Sequence, residues 1–193
     1  GLYFSNSYNC TVNNCSVSRS SEGIFVYHSH FFELINCKIG KNAVNGLLML
    51  NGNNWTIANC SFYKNGASGL NIGSLSQNLT IVGNLIYDNN DYGLWLENAQ
   101  NCILYRNAIG WNDGGNALES AASNQWDDGI SRGNRWSDFN QSGTYPVAGG
   151  FGSIDHYPEG IDNISPNSNS PSDVQYEQGL WEQFITWDTY DDF

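Results

Sequence analysis

A repeat of nearly constant length is the feature of this sequence that most restricts its fold. In each period a glycine precedes two apolar residues that flank a variable one. The spacings are 22, 23, 23 and 24 residues between Gly1, Gly23, Gly46, Gly69 and Gly93. A period near this length indicates a solenoid, in which each repeat buries its apolar face only against its neighbours. We therefore expect residues 1–119 to form a stack of about five coils of 22–24 residues each.

The pattern inside each period predicts strands. Apolar residues two apart, bounded by Gly, Asn and Ser, occur at least twice per period, for example at 94–96 and 102–104, and this alternation is typical of short strands. The segments between them, such as 87–93, are too rich in Asn and Gly for a stable helix. Such coils predict an all-β, right-handed parallel β-helix, because crossovers between parallel strands are almost always right-handed.

A leucine-rich-repeat solenoid is the alternative fold. Residues 10–17 and 79–86 match the strand and turn of that repeat, whose period can be the same. The rest of each period contains a second apolar-x-apolar strand, whereas a leucine-rich repeat has a helical or 3₁₀ return there. The complete period therefore favours the β-helix.

The cysteines follow the repeat. Either cysteine or asparagine occupies one equivalent position of each coil, which comprises Cys15, Cys37, Cys60, Asn84 and Asn107. At an inward corner, cysteine packs as a small buried group and stacked asparagines form a ladder of amide hydrogen bonds. The odd number of five cysteines and the lack of a C-x-x-C pair argue against disulfides and a zinc site. We expect buried, free thiols.

The residue before each of those positions is predicted to have the left-handed backbone that a sharp corner needs. Asn14, Asn36, Asn59 and Gly83 suit that conformation. Arg106 occupies the same position in the fifth coil and does not fit the pattern. We therefore expect the last coil to turn differently.

Charge and hydropathy restrict the partners. The chain has 7 Lys and Arg residues against 19 Asp and Glu residues, a formal net charge of -12. The basic residues are dispersed along the sequence, so we expect no basic patch and no binding to nucleic acid or to anionic membrane surfaces. No apolar run approaches the roughly 20 residues of a membrane span, so no membrane insertion is expected for this chain. Because the sequence opens within a repeat, adjacent domains of a longer parent chain are expected.

The variable residue of the Gly-marked strand is predicted to face outward. In successive coils it includes Tyr3, Phe25 and Trp95, which would form a column of aromatic rings along one face. Sugar rings pack on aromatic faces, so these three are the candidate ligand-binding residues. Large apolar patches seldom stay exposed, and a covering segment of the chain is therefore the favoured alternative.

The repeat ends at about residue 119, and residues 120–164 are predicted to cap the exposed edge of the stack. Calcium prefers carboxylate oxygens, and this region offers the candidate metal ligands Asp127, Asp128, Asp138 and Asp155. No D-x-D-x-D-G loop is present, so a solvated or capping role is the favoured alternative. Residues 165–173, rich in Ser, Asn and Pro, are predicted to be a linker.

Several motifs resemble a known family. The Gly-apolar-x-apolar coils with "NC" and "GN" corners resemble the PbH1 repeats of NosD-like parallel β-helices. The segments "NQWDDG", "GNRWSDF" and "DHYP" resemble the W-D-D-G, G-N-x-W-S-D-Y and D-x-Y-P landmarks that follow such coils in archaeal secreted and cell-surface proteins. The resemblance implies an extracellular or cell-surface location and the broad class of carbohydrate-binding and sugar-hydrolysing β-helices. Residues 174–193 resemble the first strands of an immunoglobulin-like module that is truncated at the end of the sequence.

Two functions follow from these observations. The first is a non-catalytic extracellular β-helix module that is structural or binds polysaccharide or surface glycan. The alternative is a calcium-dependent polysaccharide lyase or epimerase, which would need a cation to neutralise a uronate carboxylate and a base to abstract a proton. The only acids expected near an arginine within the coils are Asp88, Asp91 and Glu97, beside Arg106. We assign no catalytic residue, expect no catalysis, and expect no cofactor other than calcium.

Overall fold

The computed structural model describes residues 1–121, 123–140 and 142–161, and it shows a parallel β-helix. A regular coil has three short strands, one in each of three parallel sheets, and no described residue is helical. In chain order the regular strands are β1 (Leu2–Ser5), β2 (Thr11–Asn13), β3 (Ser16–Ser18), β4 (Ile24–Tyr27), β5 (His30–Ile35), β6 (Lys38–Gly40), β7 (Leu47–Leu50), β8 (Asn53–Ala58), β9 (Ser61–Tyr63), β10 (Leu70–Ile72), β11 (Thr80–Val82), β12 (Leu85–Tyr87), β13 (Tyr92–Leu96), β14 (Ile103–Tyr105), β15 (Ala108–Gly110) and β16 (Gly115–Glu119). The predicted β-helix is confirmed, and the leucine-rich-repeat alternative is excluded.

Each sheet is a stack of equivalent strands from successive coils. The first sheet contains β1, β4, β7, β10, β13 and β16, and the second contains β2, β5, β8, β11 and β14. The third sheet starts with β3, β6, β9, β12 and β15 and continues with two later strands. Those later strands are β17 (Arg135–Trp136) and β20 (Glu159–Gly160). The only antiparallel pair among the described residues is formed by β18 (Tyr145–Pro146) and β19 (Ile154–Asp155).

The predicted number of coils was too low. The third sheet has seven strands, because β17 pairs with β15 and β20 pairs with β17. Gln125 also bridges to Ile103 of the second sheet, and Ala148 bridges to Leu118 of the first. The region predicted as a cap therefore continues the solenoid to about seven turns, and its longer connections hide the period in the sequence. The predicted linker and immunoglobulin-like module, like residues 162–164, lie outside the described residues.

The core is built from equivalent apolar positions. One inward column consists of Val12, Leu34, Ile57, Ile81 and Leu104, all of them buried and paired in register along the second sheet. Rings from neighbouring coils also stack directly, with centroids 4.4 Å apart between Phe32 and Trp55. Burial of this periodic column is the main favourable term for a stack in which each coil packs on its neighbours.

The repeated glycine is required by a close approach. A Cβ atom at Gly46 would lie 2.5 Å from the carbonyl oxygen of Gly69 and 2.8 Å from Nδ2 of Asn65. A side chain there would push the next coil away and disturb a buried amide. A glycine therefore recurs once per coil at this position because neighbouring coils approach each other closely there.

Two side-chain ladders run along the stack. In the first, the backbone N–H of each residue donates to the side chain in the next coil, for example from Cys60 to Oδ1 of Asn84 (2.9 Å) and from Asn84 to Oδ1 of Asn107 (3.0 Å). The predicted asparagine ladder is thus confirmed. The second ladder joins the amides of consecutive coils at 2.9–3.0 Å through Asn42, Asn65, Asn89 and Asn112.

The first ladder extends beyond the predicted repeat. Asn107 donates from its backbone N–H to Oδ1 of Asn134 (3.2 Å), and Asn134 donates to Oδ2 of Asp155 (2.7 Å). Asn134 is fully buried, as is Asp155. In the irregular region, Asn134 and Asp155 therefore take the same ladder position in the coil, although a constant spacing along the sequence would not identify them.

Two expectations about corners and thiols were wrong. Arg106 has a φ of 56°, close to the 54° of Asn14, so the last regular coil turns as the others do. All five cysteines are free, but Cys15 is exposed and Cys10 is half-buried, since they lie in the first coil of the stack. The other three thiols are buried as predicted, at Cys37, Cys60 and Cys102.

No helix among the described residues is long and apolar enough to cross a membrane.

Candidate functional site

The outward face of the first sheet carries the predicted aromatic column. Strand register places Tyr3 beside Phe25 and Asn71 beside Trp95. The Tyr3 ring is 63% exposed, and its centroid lies 5.4 Å from that of Phe25. The complete column, which we call the aromatic column, comprises Tyr3, Phe25, Leu48, Asn71, Trp95 and Leu118.

The aromatic column is partly shielded. Its members other than Tyr3 are only half-exposed. At its centre Nε1 of Trp95 and Oδ1 of Asn71 are shielded from solvent and have no hydrogen-bond partner within residues 1–121, 123–140 and 142–161. A buried donor or acceptor without a partner is costly, so this face has polar groups whose hydrogen bonds no described residue satisfies.

Two carboxylates bracket the tryptophan. Asp91 directly precedes β13, and Glu97 directly follows it. Asp91 accepts a hydrogen bond from the Ser68 hydroxyl at 3.3 Å, whereas Glu97 is partly exposed. The face around Trp95 therefore combines an aromatic ring with hydrogen-bond acceptors at both ends of its strand.

The structure does not bring Arg106 to the acids predicted beside it. Arg106 lies in the corner between the second and third sheets, whereas Asp88 lies at the other end of the third-sheet strands. Three-residue strands separate these two corners by roughly 10 Å. Hydrogen bonds from the backbone N–H groups of Ser131 and Arg132 lower the pKa of the Asp128 carboxyl, and the positive charge of Arg106 adds a smaller contribution there. The arrangement expected for a lyase or epimerase is therefore not assembled from these residues.

Asp127 and Asp128 are occupied by donors of the chain itself. Asp127 accepts hydrogen bonds from the backbone N–H groups of Gly129 (2.7 Å) and His156 (3.1 Å), and its Oδ2 lies 2.8 Å from Nδ1 of His156. Burial alone would raise the pKa of Asp127, but these bonds outweigh it and lower the pKa. Asp128 closes a turn by accepting from the N–H groups of three residues, 130–132.

Asp138 and Asp155 accept hydrogen bonds at two other places in the structure. Asp138 accepts from Nδ2 of Asn116 at 2.7 Å and from the Tyr145 hydroxyl at 3.1 Å. Asp155 accepts from Nε1 of Trp136 at 3.0 Å and ends the first ladder. Burial raises the pKa of the Asp155 carboxyl, and its hydrogen bonds offset only part of that effect.

The four aspartates are thus not assembled into one site. Within residues 1–121, 123–140 and 142–161, no group of three or more His, Cys, Asp or Glu side chains is arranged to hold a metal ion. The roles of these aspartates are visible in their partners: they cap turns and accept from buried indoles and amides. Calcium binding by these residues stays a prediction.

A basic corner was missed by the sequence reasoning. Arg19, Lys41 and Lys64 are exposed and occupy the same corner after the third sheet in three successive coils, with φ of 56°, 59° and 51°. The expectation of no basic patch was therefore wrong for this corner. The signal was present in the spacings of 22 and 23 residues, which equal the repeat period.

Comparison with known proteins agrees with this architecture. The family described as "Right handed beta helix region" matches residues 1–152, so the chain belongs to the right-handed β-helix family. No curated protein sequence matches the chain.

Among solved structures, the chain is similar to the A-module of the mannuronan C-5 epimerase AlgE6 of Azotobacter vinelandii. The TM-score is 0.56 with 18% sequence identity, over 82% of this chain and 53% of that one. The chain thus spans about half the length of that module, and a likeness at this identity shows the fold alone.

Proposed function

We propose that this protein is a non-catalytic extracellular β-helix module that binds polysaccharide or a surface glycan along the aromatic column. The observation that carries the proposal is the register of the first sheet, which places outward-facing rings in one row along the solenoid axis. Six strands at about 4.8 Å give this face a length of roughly 24 Å, enough for an extended chain of sugars. We place the protein at the cell surface, as its resemblance to NosD-like archaeal β-helices implies.

The chemistry of the face suits a sugar. The C–H faces of a sugar ring are apolar and pack on aromatic rings, while its hydroxyls need hydrogen-bond partners. At the two ends of the strand that contains Trp95, the carboxylates of Asp91 and Glu97 supply acceptors for those hydroxyls. The proposed binding needs no cofactor.

A polysaccharide lyase or epimerase is the second candidate. It is supported by the fold of the epimerase module described above. It is opposed by the distance between Arg106 and the acids that it would have to assist. Proton abstraction beside a carboxylate requires that the base and the neutralising cation lie together.

The test is a glycan-array screen of the full chain, with calcium and with chelator, followed by affinity measurements on the glycans that bind. Tyr3→Ala removes an exposed ring of the column, and Tyr8→Ala removes a ring of similar exposure, 58%, outside it. We expect Tyr3→Ala to weaken binding about 3- to 10-fold, since one aromatic contact contributes about 1 kcal/mol. Tyr8→Ala should leave the affinity unchanged.

The outcomes separate the candidates. Equal affinities of wild type and Tyr3→Ala, or no glycan bound at all, would refute the proposed site. Bound polysaccharide should be recovered unchanged; unsaturated or epimerised products would establish the enzymatic candidate instead.

A further inference from the structure

We propose that the basic corner formed by Arg19, Lys41 and Lys64 is a separate binding strip for acidic polysaccharide, with carboxylate or sulfate groups as the recognised chemistry. This strip lies after the third sheet, whereas the aromatic column lies on the first. The inference therefore does not depend on the glycan site proposed above.

Backbone geometry stacks the three cations. They directly follow β3, β6 and β9, which are neighbours in the third sheet. The N–H of Arg19 donates to the carbonyl of Lys41 (3.2 Å), and the N–H of Lys41 donates to that of Tyr63 (3.0 Å). Successive positions are therefore about one coil, roughly 4.8 Å, apart along the axis.

Three successive levels of this corner carry a positive charge, and the level after Lys64 is Asp88, which follows β12. Three of the 7 basic residues share one corner in a chain of net charge -12. Their backbone positions are about one coil spacing apart, and like charges at a separation of about 5 Å would repel by up to about 1 kcal/mol even in water. No described residue forms an ion pair with any of the three. The nearby acid Glu22 accepts from the backbone N–H of Asn45 instead (3.0 Å).

The surface between the cations is concave. The three side chains line a shallow cavity of about 670 Å³, together with Ser20, Ser21 and Gly66. Residue 66 has no room for a side chain, because a Cβ there would lie 2.2 Å from the carbonyl oxygen of Ala43 in the preceding coil. The Ser21 hydroxyl can donate to an anionic oxygen beside the positive charges, whereas the Ser20 hydroxyl donates to the carbonyl of Ser18 (3.4 Å).

The row of three cations favours a polymer with regularly spaced negative groups. Three charges spread over two coil spacings, roughly 10 Å, match a polymer with regularly placed negative groups better than a single small anion. Such a ligand would relieve the repulsion among all three cations at once. The strongly negative remainder of the chain disfavours a larger polyanion such as nucleic acid, which would extend beyond the strip.

The test compares two double variants of equal charge. Lys41→Gln/Lys64→Gln changes the strip, and Arg106→Gln/Arg132→Gln removes two exposed positive charges elsewhere. Binding of polygalacturonate, dextran sulfate and neutral dextran is measured in chelator at about 20 mM and about 300 mM NaCl, which changes the screening length several-fold. Lys41→Arg/Lys64→Arg keeps the charge, and thermal unfolding of each variant shows that it is folded.

We expect wild type to bind at least one acidic polymer but not neutral dextran, with weaker binding at high salt. The Lys→Gln pair should lose about tenfold or more in affinity, the Arg→Gln pair about twofold or less, and the Lys→Arg pair should retain binding. Tyr3→Ala should also retain it, which separates this strip from the aromatic column. Equal losses in the two Gln pairs, no acidic polymer bound in chelator, or preferential binding of single-stranded DNA would overturn the proposal.

Discussion

The regular coils and the residues that follow Glu119 fill the same positions of the solenoid with different chemistry. In the regular coils the buried polar groups are neutral: the Trp55 indole, for example, donates to the carbonyl of Ser29 at 3.0 Å. After the repeat ends, Trp126 donates to the carboxylate of Glu119 at 2.6 Å, and Trp136 donates to that of Asp155 at 3.0 Å. Among the described residues, the buried carboxylates are Glu119, Asp127 and Asp155.

This contrast shows what the coil position requires. The first ladder needs only an acceptor at each level, and the spacing along the chain is free to vary. Asn107 and Asn134 are 27 residues apart and Asn134 and Asp155 are 21 apart, although all three belong to one ladder. The C-terminal region is therefore a continuation of the solenoid, and it contains the groups whose ionisation can change its stability.

The largest expected effect comes from breaking the ladder in either region. Asn107→Ala removes the acceptor of two donors of Asn84, the side-chain donor to the carbonyl of Ile81 and one of the two donors to Oδ1 of Asn134. We expect a loss of at least about 3 kcal/mol in the free energy of unfolding, because several buried groups become unsatisfied. Asn134→Ala should cost a similar amount, and exposed Asn90→Ala is the control.

Hydrogen exchange then distinguishes the regions. Asn107→Ala should increase exchange throughout the regular coils, whereas Asn134→Ala should increase it mainly in residues 120–161. Equal increases along the whole chain for both variants would show that the two regions open only as one unit.

A smaller effect is expected at Asp155, and it should depend on pH. Asp155→Ala should cost on the order of 2 kcal/mol through loss of the acceptor of Asn134, Trp136 and Tyr157. Because burial raises the pKa of Asp155, its contribution to stability is complete below the unfolded-state pKa of about 3.9 and declines as the pH rises through the folded-state pKa. Asp155→Asn lacks this titration. Its unfolding free energy should therefore improve relative to wild type between about pH 3 and pH 7.

For Asp127→Asn we expect the opposite pH dependence of the unfolding free energy relative to wild type. The pKa of Asp127 is lowered, so its contribution is present above about pH 3.9 and disappears as the pH falls through the folded-state pKa. The deficit of Asp127→Asn in urea unfolding should therefore grow with pH over the same range. Parallel pH profiles for the two Asn variants would contradict the assigned hydrogen bonds.

The smallest effect on stability, and a sharp one on reactivity, is expected at the thiols. Burial raises the pKa of Cys60 and Cys102 to about 12, and it also raises that of Cys37. At about pH 8 a maleimide should label exposed Cys15 first and Cys10 next, because the thiolate is the reactive form. Peptide mass spectrometry should find the other three labelled only after unfolding. Rapid labelling of Cys60 in the native chain would show that the stack opens there.

Much of the regular fold was predictable from the sequence because one rule repeats. Each coil buries the same positions against its neighbours, so the positions of Ile57 and Asn84 can be read from their equivalents one period away. The same rule predicted the order of Tyr3 and Phe25 in the aromatic column. It failed at Arg106, where coil packing imposes a left-handed backbone on a residue that does not favour it.

By itself, the sequence determined the parallel β-helix, its ladder position and the outward aromatic column, because these depend on the repeat period, which is directly visible in the sequence. Only the tertiary structure decided that Asp155 ends the ladder, that Arg106 lies apart from Asp91, and that residues 120–161 continue the stack. Those outcomes depend on connections of unequal length. Such connections bring residues together by packing and hydrogen bonding in three dimensions, which a constant spacing along the chain does not encode.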